Sequence, residues 1–209
     1  MAAASRTRNP RGQGEKLRAG LLDAARGLLL ELGDQERLSV RAVTARAGVS
    51  PNALYLHFAG REELLNTVLE AAYGELRAFL QEAAQAKAEP FEKLRSFALA
   101  YLRFAAEQPG IYRVLFMTKL REGVPMPDRD ATTAGQDEGV DTFNDLLSLV
   151  AACDPGWDDQ FTRSAELWAA LHGYVALRQV MPAFPWPSDT GYVEHLIELH
   201  VGRPPPVER

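Results

Sequence analysis

Between Asn52 and Phe58 the chain reads Asn-Ala-Leu-Tyr-Leu-His-Phe, directly after the Gly48-Val49-Ser50-Pro51 turn. A phenol and an imidazole two residues apart, Tyr55 and His57, can donate to phosphate oxygens from a face that packing leaves open. Arg41 and Thr44 lie just upstream, within reach of the same backbone or of a base edge. Arginine can bond guanine in a bidentate manner, each such pair giving ~1–3 kcal/mol of discrimination. Arg61 follows the segment and suits a phosphate at its edge, and Arg6, Arg8 and Arg11 form a basic arm of minor-groove type. A second set is aromatic: Phe97, Tyr101, Phe104, Tyr112, Phe116, Phe143, Trp168 and His172. On several helices such residues either line an apolar cavity with a few polar groups or form plain core. His172, beside Gly173, suits a hydrogen-bonded structural histidine as well as a ligand contact, and Gly173 suits close approach of two helices.

The elements that must position these groups read as helices throughout. Leu17, Leu21, Ala24, Leu28 and Leu32 recur at steps of three and four, one apolar helix face that Gly33 terminates. Ser39 caps a short helix ending at Ala47, and Gly48 stops it. Ser50 caps the next, with Pro51 at its first position, and the periodicity carries it to about Phe58. Val40, Val43 and Ala47 with Val49, Leu54 and Phe58 supply the buried face, leaving Asn52, Ala53, Tyr55, Leu56 and His57 outward. A helix, a short helix, a tight glycine turn and a second short helix make a helix-turn-helix. A fourth helix is predicted from Arg61 to about 85 and a fifth from Pro90. Pro109 and Gly110 break the chain before a short sixth, and the stretch 121–134 reads as a Pro/Asp/Gly loop. Further helices fit 136–152, 158–181 and 189–201. The "DEGVD" stretch at 137–141 reads as a solvated acidic face at a helix start.

Charge divides the 209 residues unequally. The net value is −5, yet residues 1–62 carry ten Lys/Arg against six Asp/Glu, and residues 63–209 carry thirteen against twenty-two. Polyanion contacts therefore belong at the N-terminal end. A single cysteine, Cys153, precludes an internal disulfide and reads as a small core residue. The N-terminal arginines lack an apolar stretch for a secretory signal, and an organelle transit peptide is a minor alternative to the basic arm. No apolar run nears the ~20 residues of a membrane span, so no membrane association and a cytoplasmic location are expected. No Walker loop, HExxH or GxSxG is present, and the four histidines are scattered. Neither metal nor cofactor is expected, and no enzyme.

The stretch "LSVRAVTARAGVSPNALYLHFAGREELL" resembles the DNA-binding domain of the TetR family of bacterial regulators over roughly residues 15–65. "ELWAALHGYVAL" resembles the Trp-x-x-x-His-Gly segment of one class of TetR C-terminal domains, here Trp168, His172 and Gly173. The resemblance implies an all-α fold of about nine helices: a three-helix DNA-binding domain and a longer helical domain for ligand binding and dimerisation. It divides the chain into a basic arm (1–14), a helix-turn-helix domain (15–60), an effector and dimerisation domain (61–202) and a tail (203–209) expected to be disordered. It implies phosphate contacts at Tyr55 and His57 and base contacts at Asn52 and Ala53, within a DNA-binding set of Arg41, Thr44, Ser50, Asn52, Ala53, Tyr55, Leu56, His57 and Arg61. Many members have Ala at the position of Thr44, and Tyr, Arg or Trp at that of Leu56. The implied partners are a double-stranded operator, a small-molecule effector and a second copy meeting the last two helices, 158–181 and 189–201. The function expected is a repressor released from a pseudo-palindromic operator by a small, largely apolar ligand. An architectural or partner-binding protein of the same fold, without an effector, is the alternative.

Overall fold

The computed structural model describes residues 13–117, 138–154, 156 and 159–202. Among them are nine α-helices and one 3-10 turn, and no strand. The helices are α1 (Gln13–Leu32), α2 (Val40–Arg46), α3 (Pro51–Leu54), α4 (Arg61–Gln85), α5 (Pro90–Glu107), α6 (Pro109–Phe116), α7 (Glu138–Cys153), α8 (Gln160–Val180) and α9 (Asp189–His200). The expected basic arm, the 121–134 loop and the tail lie outside the described residues.

Local chemistry accounts for the boundaries. Gly33 ends α1 at φ 63°, a left-handed conformation that favours glycine. Asp34 then caps the 3-10 turn Gln35–Arg37 by accepting from the Glu36 N–H, an element the sequence reading did not contain. The Ser39 hydroxyl accepts from the Ala42 N–H and opens α2, and Gly48 turns the chain at φ 69°. Pro51 opens α3, but Ser50 makes no side-chain cap bond. Regular α-helix stops at Leu54 rather than near Phe58. Beyond it the bonds tighten, with Leu56 N–H donating to Ala53 O and His57 N–H to Leu54 O, the i→i+3 pattern of a 3-10 turn. Pro109 does not interrupt α6 but starts it, because its missing N–H falls where a helix needs no partner.

The chain forms two compact units. One takes the chain up to Ala71 together with the segment from Arg113; the other begins at Ala72, includes Tyr112 and carries the C-terminal helices. This division lies later than the expected 60/61 boundary, and the core of the first unit gives the reason. Leu21, Ala25, Leu29, Leu38, Val43, Leu54 and Phe58 pack with Leu64, Leu65 and Val68 of α4 and with Val114 of α6. The buried Gln35 side chain donates to Val114 O at 2.9 Å.

In the second unit α5 is the central helix, with Leu94, Phe97, Ala98, Tyr101 and Phe104 buried. Phe104 meets the Phe79 ring edge-on at 5.7 Å. Arg77 of α4 donates to Asp145 at 2.7 Å and to Asp141 at 2.9 Å, and pairs with Glu138 at 3.3 Å, all on α7. Gln81 also donates to Asp145. The acidic start of α7 is therefore not a solvated face. Asp141 is buried, and its charge is compensated by a guanidinium that these carboxylates hold more firmly protonated.

Candidate nucleic-acid interface and aromatic site

In the first unit, α3 and its continuation turn one side inward. Leu54 and Phe58 are buried, and Arg18 lies over the Phe58 ring with its guanidinium carbon 4.9 Å from the ring centre. Asn52, Tyr55 and Leu56 take the opposite side, with Tyr55 56% and Leu56 78% exposed. Ser50 and Arg41 are exposed too, and Ala53 and His57 are half-buried. His57 sits beside the start of α1: a Cβ added to Gly14 would lie 3.6 Å from its Cε1. The segment thus presents an amide, a phenol and a branched alkyl group, flanked by an imidazole, and Arg41 is exposed on the preceding helix.

Two candidates of the sequence reading face elsewhere. Thr44 is 1% exposed and its hydroxyl donates to Val40 O at 2.9 Å. The hydroxyl satisfies its own helix and is closed off from any base or phosphate. Arg61 donates to Leu38 O at 2.6 Å and to Gln35 O at 2.5 Å, and pairs with Glu62. Its guanidinium ties α4 to the 3-10 turn instead of projecting as a clamp. Glu63, next along the helix, reaches back to accept from the Ala59 N–H at 2.5 Å, in the manner of a capping box. Sequence reading missed both roles because their partners are main-chain groups, which carry no sequence signature. It also missed Arg46, which pairs with Glu31 at 2.6 Å. Arg46 lies so close over Gly27 that a Cβ there would come within 2.8 Å of its Nη2.

In the second unit three polar aromatic residues converge from three helices. Tyr101 Oη of α5 lies 2.7 Å from His172 Nδ1 and 3.0 Å from Nε2 on α8. Tyr112 Oη of α6 lies 2.8 Å from the same Nδ1, and Tyr101 donates to Tyr112 at 3.3 Å. Trp168, one turn before His172, meets its ring edge-on at 4.5 Å. Phe143 of α7 is edge-on to both Trp168 and Phe161. Burial fixes the protonation of this cluster. It lowers the His172 pKa to about 4, and it raises both phenols, because a charged form loses hydration there. All three groups are neutral at pH 7, so the cluster can exchange hydrogen bonds but cannot balance a charge.

The remaining predicted aromatic positions are Phe97, Phe104 and Phe116. Phe104 faces Phe79, and Phe116 belongs to the stretch of α6 that packs in the first unit. Phe97 is buried on α5. Trp168 is 40% exposed and forms the outer edge of the cluster. Among the described residues a Cβ on Gly173 would meet nothing within 4 Å, so their packing does not demand the glycine.

The comparisons with known proteins agree with this architecture. Residues 21–68 match the family of bacterial regulatory proteins, tetR family. Residues 94–200, just over half of the chain, match the tetracyclin repressor-like C-terminal domain. Among solved structures, a TetR-like transcriptional regulator from Rhodococcus sp. RHA1 is 20% identical, with 92% of this chain and 96% of that one covered and a TM-score of 0.58. A TetR family transcription regulator from Marinobacter aquaeolei VT8 is 16% identical, with coverages of 91% and 96% and a TM-score of 0.61. SmeT, the repressor of the Stenotrophomonas maltophilia multidrug efflux pump SmeDEF, is 18% identical, with coverages of 88% and 87% and a TM-score of 0.59. At these identities the structures speak for the fold, and the two family matches speak for descent. With a helix-turn-helix at one end and the matching helical domain behind it, the chain belongs to the TetR family of DNA-binding transcriptional regulators.

Proposed function

We propose that the protein is a homodimeric repressor that leaves a pseudo-palindromic operator when a small, largely apolar ligand binds its C-terminal unit. The observation that carries the DNA contact is the open face of Asn52, Tyr55 and Leu56, with Arg41 exposed on the preceding helix, on the basic part of an otherwise acidic chain. Tyr55 and His57 are assigned to phosphates, and Asn52 and Ala53 to base edges, with Ser50 at the start of the segment close to the backbone. Two copies place two such segments ~34 Å apart, one helical turn of DNA.

Dimerisation is assigned to α8 and α9. Trp168, Leu177, Val180 and Leu199 are exposed along these helices, and the open side of Gly173 lets a partner helix come close. Such a contact is isologous, one patch meeting its own copy. Ligand binding is assigned to the neighbourhood of Tyr101, Tyr112, Phe143, Trp168 and His172, whose neutral groups favour an uncharged molecule with one hydrogen-bonding group. Release then requires the ligand to bind better to a dimer whose recognition segments no longer match the groove spacing.

The test is fluorescence anisotropy of the full-length protein with duplexes tiled across the region upstream of its gene. One tile should bind tightly, and Tyr55→Ala with His57→Ala should weaken it at least tenfold while thermal melting stays unchanged. Unaltered affinity in that double variant would refute the docking. A screen of uncharged aromatic compounds against the tight complex then tests release.

A further inference from the structure

We infer that Leu56 reads a thymine: its δ-methyl groups meet the C5-methyl of one thymine in each half-site of the operator. This rests on the DNA-binding reading above and specifies what one residue of that surface recognises. Among the described residues Leu56 is the most exposed large apolar side chain, at 78%. It cannot turn inward, because Leu54 and Phe58 on the other side of the segment are locked in the core at 0% and 1% exposure. Asn52 lies four residues earlier, on the same side and exposed, and Tyr55 is adjacent. Leu56 is thus a single alkyl group framed by polar ones, too small a patch for a protein partner but matched in size to a methyl.

The chemistry of the groove narrows the choice. Leucine neither donates nor accepts a hydrogen bond, so pressing it on guanine, cytosine or adenine edges would strip water from groups left unpaired. Thymine alone presents a methyl group among the four major-groove edges. Phosphate offers no apolar surface at all.

The experiment uses the full-length protein to select a tight duplex from a randomised pool. Each thymine of that duplex is then replaced by deoxyuridine, symmetrically in both half-sites, which removes only the methyl group. Anisotropy is measured for the wild type and for Leu56→Ala, whose melting temperature should match the wild type because the side chain is exposed. At one position the wild type should lose about fourfold per half-site, about fifteenfold for the symmetric pair, the scale of one buried methyl group. Leu56→Ala should bind thymine and uracil duplexes equally there, as a coupled pair requires. A deoxyuridine scan with no sensitive position, or a sensitive position that persists in Leu56→Ala, overturns the assignment. Failure of the wild type to select any sequence would instead sink the regulator reading beneath it, and the two failures are told apart by whether selection converges.

Discussion

Thr44 and Tyr55 show how residue type and residue role part company. Both carry hydroxyls near the glycine turn, yet one is sealed inside α2 and the other is more than half exposed. Thr44→Ala should therefore leave operator affinity within twofold of the wild type and shift stability by less than ~1 kcal/mol, since the lost bond is a local one to the helix's own carbonyls. Anisotropy and thermal melting check both halves. His172 makes a different residue-scale prediction. Burial holds its pKa at about 4 against 6.5 for the free side chain, so between those values the unfolded chain binds a proton that the folded chain refuses. Its contribution is complete above pH 6.5 and is lost as the pH falls toward 4. Chemical denaturation should show a loss of about 1.5 kcal/mol between pH 6.5 and 5 that is missing in His172→Gln.

At the scale of elements, the helices were legible because their signals are local. Apolar steps of three and four marked α1, prolines marked the starts of α3 and α5, and Gly33 and Gly48 marked ends, all from residues within a few positions of each other. What the sequence reading misjudged depends on distant partners. The "DEGVD" stretch looks solvated until Arg77, more than sixty residues earlier, is placed among its carboxylates. The tightening after Leu54 is carried by main-chain bonds, and no residue type announces it. The Arg77 cluster joins α4 to α7, so Arg77→Ala should strand the buried Asp141 and its neighbours. A loss of roughly 2–3 kcal/mol is expected, below the 3–5 kcal/mol of a fully buried pair because these side chains retain some water. Denaturant titration measures it, and Asp141→Asn combined with Arg77→Ala should recover part of the loss.

For the molecule as a whole, the division of charge governs association. A basic N-terminal third with an acidic remainder confines phosphate contacts to one end, so affinity should fall linearly on a log–log plot against salt. With ~6–10 phosphates neutralised by a dimer, ~10³–10⁵ in affinity is lost between 50 and 200 mM salt. Replacing Tyr55 and His57 should weaken binding at every salt concentration while changing that slope little, because the slope is set by the Lys/Arg–phosphate contacts and these two are assigned hydrogen bonds. Among the described residues no helix is long and apolar enough to cross a membrane.

The core of the first unit draws Leu64, Leu65 and Val68 from α4 and Val114 from α6. The gene is therefore not modular where it looks modular. A crossover at codon 60, the natural place to graft this helix-turn-helix onto another effector domain, would discard four of the side chains that fill its interior and the carbonyl that Gln35 needs. Exchanges that keep residues up to 71 and carry the 113–116 stretch with them should yield soluble hybrids, whereas those cut at the end of the recognisable motif should not.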